Sequence, residues 1–216
     1  MAEITIVNYG MGNIGSVANA FRRLGATWDV ASSPAQVRTA RALVLPGVGA
    51  FRSAMRNIRE LALAEALTDA VLTRRVPFLG ICLGLQLIAE ESSEGGPTQG
   101  LGWIPGEVRA LEPAGELPVP HVGWNQVEFL GTAPLFNRID QAAHFYFDHG
   151  YALRSGDSVV TATCDYGGRC VAAVQRDNIY AVQFHPEKSQ RNGLRVLRNF
   201  LTIAASYATA DNRVVC

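Results

Sequence analysis

Gly80-Ile81-Cys82-Leu83-Gly84 sets a cysteine between two glycines, each two positions away, where the apolar run 76–81 meets the amphipathic stretch 83–91. A nucleophile carried on a sharp strand-to-helix turn calls for that spacing. The turn holds the nucleophile in a strained backbone conformation, and side chains two positions to either side would collide, so both are glycine. The helix then begins beneath the thiol. Its N-terminal amides and dipole favour a negative sulfur, and the Leu83 N–H points toward a developing oxyanion. On this pattern alone an active nucleophile and a buried cysteine packed among glycines carry equal weight.

Val182-Gln183-Phe184-His185-Pro186-Glu187 supplies what such a cysteine lacks. His185 follows the end of an apolar strand, where a parallel sheet delivers functional groups to its crevice. A cysteine nucleophile needs a base to take its proton and return it to a leaving amine, and the base needs a carboxylate to fix its tautomer. Pro186 makes the two-residue step from His185 to Glu187 rigid. A histidine beside a proline is more often structural, and only its joint occurrence with the Cys82 turn assigns it a catalytic role. A third segment, Leu45-Pro46-Gly47-Val48-Gly49-Ala50-Phe51, leaves backbone amides bare after a strand, so Val48 or Gly49 is the candidate second oxyanion donor. Standing alone it would read as an ordinary turn.

Gly10-Met11-Gly12-Asn13-Ile14-Gly15 fits G-x-G-x-x-G and follows a strand, which is the dinucleotide-binding pattern. The acidic residue due about 20 positions on is missing: Asp29 comes too early, and Pro34 sits where the second strand should end. Nicotinamide binding is therefore not expected, and no other cofactor or metal is.

These groups must be positioned by the elements around them. The first hundred residues alternate short apolar runs with helical patterns, which predicts βα units and a mainly parallel sheet. Strands are expected at Ile4–Val7, Trp28–Ala31, 42–45 and 76–81, and helices at 13–24, 53–73 with a break, and 83–91. The second half is strand-rich, with strands at 108–111, 126–129, 143–153, 158–164, 170–175 and 179–184 and a closing helix at 194–205. The expectation is one α/β domain over 1–216: an open, mainly parallel twisted sheet with helices on both faces, which the later strands join. With 48% hydrophobic residues, 18% charged and zero formal net charge, nothing points to nucleic acid or a membrane surface. Cys82, Cys164, Cys170 and Cys216 show no paired framework, and no apolar run reaches spanning length, so a cytoplasmic location is expected.

With these residues in view the chain resembles the class I, or triad-type, glutamine amidotransferases along nearly its whole length. The motifs 80–86 and His185-Pro186-Glu187 carry the resemblance. Tyr9-Gly10-Met11-Gly12-Asn13, Pro46-Gly47-Val48-Gly49-Ala50-Phe51, His121-Val122-Gly123-Trp124-Asn125 and Pro186-Glu187-Lys188-Ser189 make it similar, within that family, to glutaminase subunits that form a heterodimer with a (β/α)₈-barrel cyclase making imidazole glycerol phosphate. The resemblance implies a catalytic triad of Cys82, His185 and Glu187, and places Gln86 and Glu94 around the polar end of bound glutamine. It implies that 147–151, with His149, Gly150 and Tyr151, lines the glutamine pocket. Gly150 stands where the family has serine, and Asn8 where it has aspartate. Asn13, Trp124, Asn125 and the only lysine, Lys188, expected in loops near the site, are candidates for the cyclase-docking face, although a tryptophan beside a strand is more commonly core. Other readings stay open: the glutaminase of a synthase making anthranilate, carbamoyl phosphate or GMP, a stand-alone γ-glutamyl hydrolase, or a non-catalytic redox or regulatory module using Cys82.

Overall fold

The computed structural model describes residues 3–211, with side chains to 207; Cys216 lies outside the described residues. The chain runs β1 (Ile4–Val7), α1 (Ile14–Arg23), β2 (Trp28–Ala31), α2 (Pro34–Arg38), β3 (Leu43–Gly47), α3 (Phe51–Glu60), α4 (Leu63–Thr68) with a π-helical turn at Asp69–Thr73, β4 (Phe78–Cys82) and α5 (Leu83–Leu87). The second half adds β5 (Glu91–Ser92), β6 (Thr98–Gln99), β7 (Glu107–Ala110), β8 (His121–Gln126), β9 (Glu128–Phe129), β10 (His144–His149), β11 (Tyr151–Arg154), β12 (Val160–Asp165), β13 (Arg169–Arg176), β14 (Ile179–Val182) and α6 (Gln190–Asp211).

Eight strands form one sheet in the order β2-β1-β3-β4-β14-β13-β12-β9. The first five are mutually parallel and the last three antiparallel. Successive side chains on a strand face opposite ways, so Leu43 and Leu45 pack with α3 and α4 while Val44 packs with α1 and α6. In α3 the buried set Phe51, Ala54, Met55 and Ile58 follows helical spacing, which seats the helix on the sheet. Burying a side chain such as Phe51 contributes about 1.5–3 kcal/mol.

Several expectations are corrected. The 53–73 segment begins earlier, at Phe51, and breaks at Ala62, whose φ of 54° is left-handed. Helix α2 was not among the expected elements, although proline, here Pro34 at its start, is well suited to the first turn of a helix. Helix α5 stops at Leu87, where the chain turns into β5. The 143–153 strand is two: β10 pairs with β8 in a two-stranded sheet, and β11 with β7 in a four-stranded one. The strand-rich half therefore joins the main sheet only through β9, β12, β13 and β14. Among the described residues no helix is long and apolar enough to cross a membrane.

Candidate active site

Strand β4 lies between β3 and β14, with Gly47 opposite Cys82 and Val182 opposite Ile81. Because all three strands run the same way, their carboxyl ends bring the 47–49 segment, Cys82 and the 183–187 segment to one edge of the sheet. Cys82 has φ 53° and ψ −106°, the strained turn expected of it. A Cβ on Gly84 would collide with the Leu45 carbonyl oxygen, and one on Gly80 would lie 2.8 Å from the Gly84 oxygen. The glycines are therefore required by close backbone approach between β3, β4 and α5.

His185 Nδ1 lies 2.8 Å from Glu187 Oε1, and the two side chains are 2% and 1% exposed. The carboxylate accepts the Nδ1 proton, which leaves Nε2 as the ring nitrogen not held by Glu187. Nε2 is buried with no hydrogen-bond partner among the described residues. Burial disfavours a charged ring, but the Cys82 thiol and the Glu187 carboxylate outweigh it, and the pKa of His185 is pushed up to about 10. An imidazolium beside the sulfur is the counter-ion a thiolate needs. Ser189 donates to the His185 carbonyl at 2.6 Å and accepts from the Tyr146 amide at 2.9 Å, fixing the loop that carries His185.

A pH prediction follows from that sign. The folded pKa lies above the ordinary value of about 6.5, so the charged ring's stabilisation is complete below about pH 6.5 and is lost as pH rises through about 10. Melting temperatures measured between about pH 6 and 10.5 should fall more in the wild type than in His185→Asn. Parallel curves would contradict the assignment.

One cavity of about 200 Å³ is lined by Val48, Gly49, Cys82, Leu83, Gln86, Glu94, Pro120, Asp148, His149, Gly150 and Tyr151. It is smaller than the roughly 300–1,000 Å³ usual for drug-sized ligands, a size suited to one amino acid. Glu94 follows β5 and accepts from the Phe51 amide at 2.7 Å, so its carboxylate is pinned at the start of α3. The Gln86 amide nitrogen donates to the Tyr151 carbonyl at 2.9 Å and to Gln183 Oε1 at 3.2 Å. The Val48 amide is taken: it donates to the Met11 carbonyl at 3.3 Å. Leu83 opens α5, where a first-turn N–H has no partner within the helix. Gly150 has nothing nearer than 3.8 Å to an added Cβ, so a side chain would fit there. Asn8 accepts from the Gly10 amide at 3.0 Å, a role an aspartate fills equally.

Of the candidate docking residues, Trp124 and Asn125 lie on β8 rather than in a loop. Trp124 is 48% exposed, not core, and meets Tyr146 edge-on with centroids 6.2 Å apart. Lys188 sits 5.2 Å above the Tyr146 ring and 3.5 Å from Asp148 within the same chain. Asn125 turns its amide onto the Asp165 carbonyl at 2.8 Å, and Asn13 caps α1 by accepting from Ser16.

Residues not singled out also meet here. Gln183 donates to Cys82 Sγ at 3.6 Å, and the thiol faces the Asp148 carbonyl at 3.8 Å. Gln183 lies just past the end of β14, two positions before His185, and the side chains of both reach Cys82. Tyr9, 1% exposed, has a hydroxyl with no partner among the described residues and lies against Gly47. Burial and the nearby Cys82 thiol push its pKa up.

The family model for glutamine amidotransferase class-I matches residues 5–204. Imidazole glycerol phosphate synthase subunit HisH 1 of Campylobacter jejuni (strain RM1221) is 46% identical over 93% of this chain and 100% of that protein. Imidazole glycerol phosphate synthase subunit HisH of Moorella thermoacetica is 48% identical over 93% of this chain and 94% of its own length. A solved glutamine amidotransferase superposes with a TM-score of 0.73 at 22% identity, covering 93% of this chain and 98% of that one, and so shares the fold.

Proposed function

The chain belongs to the class-I glutamine amidotransferases, and from that premise we propose that it is the glutaminase subunit of an imidazole glycerol phosphate synthase, working in the cytoplasm in histidine biosynthesis. Identity near 46% over nearly the full length of synthase subunits supports the reading. The observation that carries the chemistry is the meeting of Cys82, at the end of β4, with a carboxylate-held imidazole at the end of the neighbouring β14.

The Cys82 thiolate attacks the side-chain carbonyl carbon of glutamine, and the oxyanion is held by backbone N–H groups of Leu83 and of Val48 or Gly49. His185, oriented by Glu187, gives its proton to the departing nitrogen, so ammonia leaves and a γ-glutamyl thioester remains. Water then gives a proton to His185 as it attacks the thioester, releasing glutamate and restoring the sulfur. Gln86, Glu94 and the 149–151 segment hold the amino-acid end of the substrate. The ammonia passes to a (β/α)₈-barrel cyclase partner, docked on the face carrying Asn13, Trp124, Asn125 and Lys188. There it reacts with a phosphorylated ribulosyl aminoimidazole-carboxamide nucleotide to give imidazole glycerol phosphate and release the aminoimidazole-carboxamide ribonucleotide.

In the free chain the Val48 amide faces Met11 rather than the cavity, so if Val48 is the second oxyanion donor it is missing until this backbone reorients. Loss of one such donor costs about 10²–10³ in turnover. Ammonia and glutamate release from glutamine should therefore be slow alone and rise by about that factor with the cyclase and its nucleotide. Equal turnover with and without the partner would refute the gating, and no release in either state would refute the function.

A further inference from the structure

The buried His121 and His149 and the half-buried Asn125 form a chain of hydrogen bonds that ends on the proposed glutamine pocket. We propose that His121 is a positioning residue that fixes the orientation of His149 through the hydrogen bond to its Nε2, and so holds the 148–151 segment in its substrate-binding shape; this rests on the glutaminase reading above.

The protons can be placed without ambiguity. His149 Nδ1 lies 2.9 Å from the Tyr151 carbonyl, which can only accept, so Nδ1 carries the hydrogen. His149 Nε2 is then bare and must accept, and its partner 3.1 Å away is His121 Nδ1, which therefore carries a hydrogen too. His121 Nε2 is left to accept, and the Asn125 amide nitrogen stands 3.4 Å from it. Asn125 is itself fixed: its amide also donates to the Asp165 carbonyl at 2.8 Å, and its oxygen accepts from the Gln126 amide at 2.8 Å. Every donor finds an acceptor only if both rings are neutral with hydrogen on Nδ1. Burial pushes both pKa values down to about 4, which agrees.

Packing holds the plane of the His121 ring. It lies directly opposite His149 across β8 and β10. Its ring is stacked between Tyr166 at 3.9 Å and Phe147 at 4.7 Å, centroid to centroid. The far end of the chain reaches the chemistry. The Tyr151 carbonyl takes hydrogens from both His149 and Gln86, and Gln86 leads through Gln183 to Cys82 Sγ. Without the His121 donor, the Nε2 lone pair of His149 is left buried with no partner, so the ring is no longer held at that end and the segment carrying Gly150 and Tyr151 would relax.

The test uses the full chain with its cyclase partner. His121→Leu fills the space between the flanking rings and removes the donor, while His121→Asn keeps a donor near the Nδ1 position. A net hydrogen bond's worth of positioning corresponds to about a tenfold rise in KM for glutamine in the leucine variant, with kcat within about twofold. The asparagine variant should recover KM to within about threefold of wild type. Imidazole nitrogen NMR should show hydrogen on Nδ1 and a hydrogen-bonded Nε2 for His149 in the wild type, and an Nε2 signal moved to that of an unbonded acceptor nitrogen in His121→Leu. Hydrogen on Nε2 of His149 in the wild type overturns the proposal, and so do leucine and asparagine variants equally impaired or equally unimpaired. Should the leucine variant fail to fold, the wild-type tautomer decides. A wild-type complex that releases no ammonia from glutamine refutes the glutaminase reading instead, and the tautomer still judges the relay.

Discussion

Cys82→Ala in the assembled complex should lower glutamine-dependent product formation by at least about 10⁴-fold, since triad enzymes lose most of their acceleration when the nucleophile is removed. The cyclase should still turn over when ammonia is supplied directly, because only the source of ammonia has been lost. The same variant should keep its melting temperature within a few degrees. Cys82 is 5% exposed, and only its sulfur is removed. Retained glutamine-dependent synthesis would mean that another group attacks the amide. Loss of ammonia-dependent synthesis as well would mean that the sulfur holds up the structure instead.

The second large effect is steric. Gly84→Ala should cost at least about 3 kcal/mol and abolish glutamine hydrolysis, because the new methyl group would occupy the position of the Leu45 carbonyl oxygen. That atom belongs to β3, whose residues pair with β4, so it cannot move without opening the sheet beside the nucleophile. Gly15→Ala is the matched control. Gly15 lies in α1 with nothing within 4 Å of an added Cβ, so alanine there should be neutral or stabilise by up to about 1 kcal/mol. Denaturant midpoints of the two variants separate the cases, and a Gly84 variant as stable as wild type would contradict the elbow geometry.

The contrast between those two glycines shows where sequence reading succeeds. Gly80 and Gly84 are legible because their spacing about a cysteine is a local constraint of the turn itself. The first βα units are legible for a similar reason: each is a short apolar run followed by a stretch of helical period, and β4 and β14 were expected within a few residues of their ends. What was not legible depends on pairing at a distance. The alternating Phe145, Phe147 and His149 continue smoothly toward Leu153, yet the chain changes sheets at Gly150, because β8 and β7 are the available partners on either side. Strand β8 was visible only as a motif, with alternate residues exposed and its pairing supplied by β10.

The same division runs through the site. That Cys82, His185 and Glu187 meet at one edge of the sheet could be expected from residue types and spacing. That the Val48 amide is held by Met11 could not, because two loops from different βα units must meet for the bond to exist. His121 stood in the sequence as part of a recognisable string, and only its place opposite His149 gives it a physical role.

The central claim is that one sulfur, Cys82, attacks glutamine with His185 as its proton carrier. Its most direct test is to inactivate the complex with an electrophilic glutamine analogue and locate the label by peptide mass spectrometry while residual activity is followed. The account predicts one label per chain, on Cys82, rising in step with lost glutaminase activity, and labelling that is strongly slowed in His185→Asn. Full glutaminase activity in a chain labelled at Cys82, or inactivation with the label on a different residue, would contradict it.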